Sequence, residues 1–205
     1  MVDLRTYAFL DSLQPQFASF IATVAGGFLP VAGQASLFVE ISPGMEINRV
    51  TDIALKATNV KPGMMIVERH FGMLEIHSDS QGDVREAGAA ILEALGLHSE
   101  ECIKPKITTS QLIRNISDYH TQLINKTRHG QMIIPGQTLY TMEVAPAGYA
   151  ALAANEAEKS ANIDILEVRT FGSFGRLYLS GDEADMEVGY KAAEQALIDV
   201  KGRTE

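Results

Sequence analysis

The apolar positions of the first hundred residues change period several times. Residues 4–10 predict a strand, residues 15–25 a helix, and residues 35–41 alternate as a half-buried strand. Over 46–58, Ile47, Val50, Ala54 and Ala57 fall on one face at helical spacing, with Arg49, Asp52 and Lys56 off it. Lys61-Pro62-Gly63 reads as a turn. Residues 64–68 and 73–77 predict two short strands around Phe71-Gly72. Residues 82–95 predict a helix with Val84, Ala87, Ile91 and Leu95 in register.

The same pattern is then written a second time. Sliding the chain by 103 residues aligns it with itself, without gaps, from about residue 4 to residue 79. Gly27/Gly130, Gly33/Gly136, Glu40/Glu143, Lys56/Lys159, Asn59/Asn162, Phe71/Phe174 and Gly72/Gly175 are identical pairs. A single deletion shifts the offset to 102 for the last helix, where Ala90/Ala192 and Leu95/Leu197 align. Leu74/Leu177 and Ile76/Leu179 put apolar residues on one strand face in both copies, which supports the alignment independently of the identities. A period this long is a duplicated domain rather than a solenoid repeat, whose units run roughly 20–50 residues. The expected organisation is two α+β domains with mostly antiparallel sheet, 1–103 and 104–205. They meet at the polar, proline-bearing joint of residues 98–106.

Composition narrows the function. At 46% hydrophobic and 21% charged the chain is ordinary for a globular protein, and no apolar run approaches the roughly 18 residues of a membrane span. The acidic N-terminal stretch lacks the basic region of a signal peptide. A net charge of −9 without a basic stripe argues against nucleic acid and acidic membranes as partners. Cys102 is the only cysteine, which fits a reducing cytoplasm and rules out an internal disulfide.

No catalytic constellation emerges. His70, His77, His98, His120 and His129 share no metal-ligand spacing, and no phosphate-binding or nucleophile-elbow motif is present. Two features stand out. Glu68-Arg69-His70-Phe71-Gly72 places a charged pair at a strand end before a tight turn. Its counterpart, Phe171-Gly172-Ser173-Phe174-Gly175, keeps the glycine and aromatic frame but not the charges. The helix ends carrying Lys56 and Asn59, and Lys159 and Asn162, recur in both copies. A lysine complementing the helix dipole and an asparagine cap explain them equally well.

These segments, with residues 39–41, 54–60 and 82–88, resemble the shell-protein domain of bacterial microcompartments. Two fused copies are similar to the tandem-domain shell proteins, and the strand and helix opening each copy resemble the circularly permuted version. Glu68-Arg69 is most similar to the minor carboxysome-type members. The resemblance implies a structural, non-enzymatic tile: a homotrimer shaped like a hexamer, with a gated central pore for small metabolites. It also implies stacking of two trimers face to face and contact with other shell proteins in a cytoplasmic microcompartment. It puts the gate at Glu68 and Arg69, the pore lining at His70, Phe71, Gly72, Phe171, Gly172 and Ser173, and tile-edge contacts at Lys56, Asn59, Lys159 and Asn162. Ala150, Ala151, Ala153, Ala154 and Ala157 would allow close approach at the edge. Members that hold an iron–sulfur cluster carry cysteine in the pore. Cys102 lies in the joint, so no cofactor or metal is expected. The rival readings are a trimeric metabolite-binding regulatory protein and a small enzyme with its site between domains.

Overall fold

The computed structural model describes residues 2–204. The first half comprises β1 (Asp3–Leu10), α1 (Pro15–Val24), β2 (Ala35–Ser42), α2 (Ile47–Ala57), β3 (Lys61–Glu68), β4 (Phe71–Ser78) and α3 (Gln81–Leu95). The second repeats it as β5 (Lys106–Ile113), α4 (Asp118–Thr127), β6 (Thr138–Ala145), α5 (Tyr149–Ser160), β7 (Asp164–Arg169), β8 (Gly175–Gly181) and α6 (Glu183–Ile198). Each half holds one four-stranded antiparallel sheet, in the orders β1-β2-β4-β3 and β5-β6-β8-β7. Even the register shifts recur at the 103-residue offset. One between Leu4 and Thr6 matches Ile107/Thr109, and one between Pro62 and Met64 matches Ile165/Glu167.

One expected turn is strand instead. Lys61, Pro62 and Gly63 open β3, with Lys61 opposite His77 and Pro62 opposite Ile76. β3 is an edge strand, where a proline's missing N–H is tolerated. On the strand's other side Gly27 and Phe28 donate backbone bonds to the Gly63 and Pro62 carbonyls, at 3.0 and 2.9 Å. A second departure is minor: Ala57 of α2 is exposed, and Thr51 joins Ile47, Val50 and Ala54 on the buried face.

Each sheet buries one face beneath two helices. Leu74 and Ile76 pack with Val50 and Ala54 of α2 and with Val84 and Ile91 of α3. Leu177 and Leu179 pack in the same way with α5 and α6. Gly72 and Gly175 occupy equivalent crossings. A Cβ on either would stand 2.3 Å from a backbone oxygen, that of Gly44 or Ala147. No side chain fits there, which accounts for glycine at both positions.

The opposite faces of the two sheets differ. In the first half α1 covers its sheet, and Phe17, Phe38, Met64 and Met73 run on into a core shared with Tyr149, Ala153 and Ala157 of the second half. Ala150, Ala151, Ala153, Ala154 and Ala157 are all fully buried in this core, so they serve close approach between the halves and not an open tile edge. Polar bonds lock the seam. Glu158 accepts from the backbone N–H of Gln16 and of Phe17, both at 2.8 Å, capping α1 from across the seam. Asn155 Oδ1 accepts from Gln14 N at 2.9 Å. Gln16 donates to the Ile163 carbonyl and accepts from Ile165 N. Buried Glu40 accepts from Arg5, Thr6 and the Gly148 N–H. The joint is pinned as well: Cys102 and Ile103 are buried, Tyr149 donates to the Ile103 carbonyl at 2.8 Å, and Arg203 bonds back to Cys102.

In the second half the corresponding face holds a small separate core, Ile116, Ile133, Leu139 and Leu166, with half-buried Ile124 and Tyr178 against it, and the outer side of α4 is exposed. α4 buries only Thr121 and leaves Tyr119 and Leu123 exposed, where α1 has half-buried Gln16 and buried Phe20. Conversely, the surface that matches the seam face of α5 and β7 exposes Met45 just before α2, Leu55 of α2, and Met65 and Val67 of β3. The chain therefore carries exposed counterparts of both sides of its own seam.

Candidate functional site

Glu68 pairs with Phe71 across the β3–β4 hairpin, leaving Arg69 and His70 as a two-residue tip. Arg69 takes a left-handed backbone (φ 55°), as two-residue hairpin turns require. Both tip residues are exposed, and Glu68 is half-buried. The tip is fastened from behind. The Arg5 guanidinium lies 3.8 Å from the Phe71 ring centre and is held in turn by Glu40 at 3.0 Å. The seam and the hairpin thus share one buried ion pair.

The second loop runs from Thr170 to Gly175. Phe171 packs against the shared core, and the buried Thr170 hydroxyl lies 3.8 Å from Met64 Sδ of the first half. Gly172 (φ 98°) sits beside Glu68: a Cβ there would be 3.7 Å from Glu68 Cγ. One open depression is lined by Glu68, Arg69, Arg169, Phe171, Ser173 and Phe174. The fold thus brings the two loops singled out in the sequence side by side, one charged and one not. Among the described residues neither Glu68 nor Arg69 forms an ion pair within the chain. His70 stands edge-on to Phe71, at 6.4 Å between ring centres.

The two edge lysines occupy different surroundings. Lys56 is exposed at the end of α2 and, among the described residues, bonds only to Asp52 of its own helix, at 2.7 Å. Lys159 is half exposed and faces Asp11 across the seam at 3.6 Å and Glu156 at 3.9 Å. Asn59 and Asn162 are exposed, but neither caps its helix, since Thr58 and Ala161 hold the cap positions. The histidines do not converge. His77 is buried against Glu75 at 3.2 Å with its Nε2 unbonded among the described residues, and His129 bonds Glu167 at 2.8 Å. Among the described residues no group of three His, Cys, Asp or Glu side chains is placed to hold a metal ion, and no helix is long and apolar enough to cross a membrane.

Sequence reasoning missed Arg128, Arg169 and Arg176, which line one groove between α4 and the β7–β8 strands. The alignment held a signal: Arg169 and Arg176 stand where the first half has apolar Ile66 and Met73.

Comparison with known proteins agrees with this architecture. The profile of the CsoS1D N-terminal domain matches residues 4–101. The chain is 57% identical over 202 residues to the carboxysome shell protein CcmP of Synechococcus elongatus, covering 98% of this chain and 95% of that one. It is 48% identical to the carboxysome shell protein CsoS1D of Hydrogenovibrio crunogenus, covering 96% and 97%. Among solved structures, the fused permuted hexameric shell protein MSM0275 of the RMM microcompartment superposes with a TM-score of 0.96 at 44% identity, over 98% of this chain and 100% of that one. The double ringed trimeric shell protein MSM0271 does so with a TM-score of 0.96 at 39% identity, over the full length of both. A duplicated, permuted α+β unit with this topology, at this identity along nearly its whole length, places the chain in the carboxysome-type family of tandem-domain bacterial microcompartment shell proteins, as a structural component of such a shell.

Proposed function

We propose that three copies of the chain close into a hexamer-like tile whose central pore is gated by Glu68 and Arg69. The observation that carries the reading is the pair of unmatched seam faces. The exposed outer side of α4 and the apolar strip Met45, Leu55, Met65 and Val67 are the counterparts of surfaces that already pack against each other inside the chain. Such a heterologous contact generates a closed ring when its rotation closes. Three chains, each with two domains meeting near residue 103, give six equivalent positions around one axis. Two structural relatives support this order, one described as a fused permuted hexameric protein and one as a double ringed trimer.

In that ring the loops carrying residues 68–72 and 171–175 alternate around the pore, with His70, Phe71, Gly72, Phe171, Gly172 and Ser173 lining it. Three carboxylates and three guanidiniums gather at one rim and bridge by charge-assisted hydrogen bonds when the pore is shut. Exposed ion pairs are worth about 0–1 kcal/mol each, comparable with the side-chain entropy lost on ordering them. Closed and open states are therefore both populated, as a gate for small metabolites requires.

The remaining surfaces fit a tile rather than an enzyme. Exposed Phe28, Leu29 and Val31 in one half and Met132 and Ile134 in the other lie on equivalent loops. Around a ring they form an apolar circle that a second trimer would cover. Lys56, Asn59, Lys159 and Asn162 would meet neighbouring shell proteins, the apolar lysine stems packing while the ammonium groups bond to carbonyls. To test the gate, Glu68→Ala/Arg69→Ala is imaged by cryo-electron microscopy. The reading expects intact trimers with every pore open; closed pores in the double variant overturn the gate.

A further inference from the structure

The groove between α4 and the β7–β8 strands is electrostatically unbalanced. Arg169 and Arg176 stand directly opposite each other across the β7–β8 ladder, a like-charge pairing that disfavours the sheet. Their first-half counterparts, Ile66 and Met73, make an apolar pair at the same register. Arg176 is neutralised by Glu143 at 2.9 Å. Arg128 donates to the Gly130 carbonyl and to Asn125. Glu167, on the groove wall, is engaged by His129. Arg169 has only the Phe171 ring, 5.1 Å away, and among the described residues no carboxylate within ion-pair distance. The groove is short of one anion.

The seam inside the chain says which anion reaches it. There, Phe171 of the second half packs beside Phe20, Ile21, Val24 and Met64 of the first. Moving each side by the 103-residue offset turns this into the contact between chains. Phe171 becomes Glu68, and the receiving residues become Leu123, Ile124, Thr127 and Glu167. The last three of these line the arginine groove, beside Arg169, the counterpart of Ile66. We infer that this groove receives the carboxylate of the partner subunit's Glu68, with Arg169 as its principal counter-charge, and that this is where the carboxylate rests when it leaves the pore axis. Arg169 also lines the depression that holds the chain's own Glu68, with which it forms no ion pair, so among the described residues of one chain its guanidinium still lacks a carboxylate that the second copy can supply. The inference rests on the trimeric gate proposed above and adds the second of its two resting places. It also gives Arg169 a counter-charge where Arg176 already has Glu143.

The test compares Arg169→Gln with Glu68→Gln in the assembled protein, using native mass for trimer formation and particle classification by cryo-electron microscopy for the ratio of open to closed pores. Arg169 is exposed, so its replacement leaves the fold intact. Arg169→Gln should remain trimeric with the open-to-closed ratio lowered by roughly fivefold per subunit, the scale of one exposed ion pair. Arg169→Lys, which restores the positive charge, should bring the ratio back toward that of the wild type. An unchanged ratio in Arg169→Gln, alongside a changed one in Glu68→Gln, overturns the receptor groove and leaves the gate standing. Unchanged ratios in both variants overturn the gate itself.

Discussion

Glu158 is a sharp test of how the two halves are held together. Among the described residues α1 has no side-chain cap of its own, since Gln14 precedes it without a capping bond and Pro15 begins it. Its free N–H groups at Gln16 and Phe17 point to the two oxygens of Glu158, both at 2.8 Å, so the second half caps a helix of the first. Replacing a helix cap costs about 1–2 kcal/mol, and removing a negative charge from a helix N-terminus adds about 0.3–1 kcal/mol. Glu158→Ala should therefore lose about 2 kcal/mol. Glu158→Gln, which keeps one acceptor oxygen, should lose about half as much. The assay is urea unfolding at fixed protein concentration, reading midpoint shifts at unchanged slope, because any self-association makes the midpoint depend on concentration. Glu156→Ala serves as the control: its nearest cation, Lys159, is 3.9 Å away, and the loss should stay under about 0.5 kcal/mol. If Glu158→Ala and the control shift the midpoint equally, the cross-seam cap contributes nothing and the reasoning fails.

Other outcomes follow from the same geometry. Burial pushes the Glu40 carboxyl above its ordinary range, against the opposing pull of the Gly148 N–H and Arg5. A carboxyl whose folded value is raised lends stability below its unfolded value and loses it as pH rises through the folded one. The wild type should therefore lose stability relative to Glu40→Gln as pH climbs out of the acid range, and a flat difference between the two across that range would contradict this. Lys56→Ala should leave trimer mass unchanged while raising the protein concentration needed for sheet formation by roughly two- to fivefold, read by electron microscopy of a dilution series; loss of the trimer would contradict the edge role. Leu29→Ser/Met132→Ser should leave single trimers intact and abolish stacked ones in native mass spectra; persistent stacking would place the stacking face elsewhere.

Much of this architecture is legible along the chain because it is written locally and then repeated. The spacing of Val84, Ala87 and Ile91 and the shared offset are properties of neighbouring residues, and each has its structural counterpart. The strand at 35–41 forms where expected, but it is buried on both faces from Ala35 to Ile41 and is not half-buried. What sequence reading missed depends on long-range contacts. Pro62 and Gly63 look like a turn until the backbone of Gly27 and Phe28 pairs with them on the strand's outer side. The alanines of α5 look like an edge until the core of the first half covers them. Glu158 meets its partners across more than a hundred residues, and no periodicity encodes that. The pairing of Arg169 with Arg176 needed the β7–β8 register. The loops at 68–72 and 171–175 stand out along the chain because duplication shows where the copies differ while the frame stays constant.

The most direct measurement is a high-resolution reconstruction of the assembled protein, read for the distance of positions 68 and 69 from its rotation axis. Three copies should surround one axis, with the Glu68 and Arg69 side chains at the narrowest point and the loops at 171–175 between them. A ring whose narrowest point is lined by other residues, or a protein that stays monomeric at every concentration, contradicts the account.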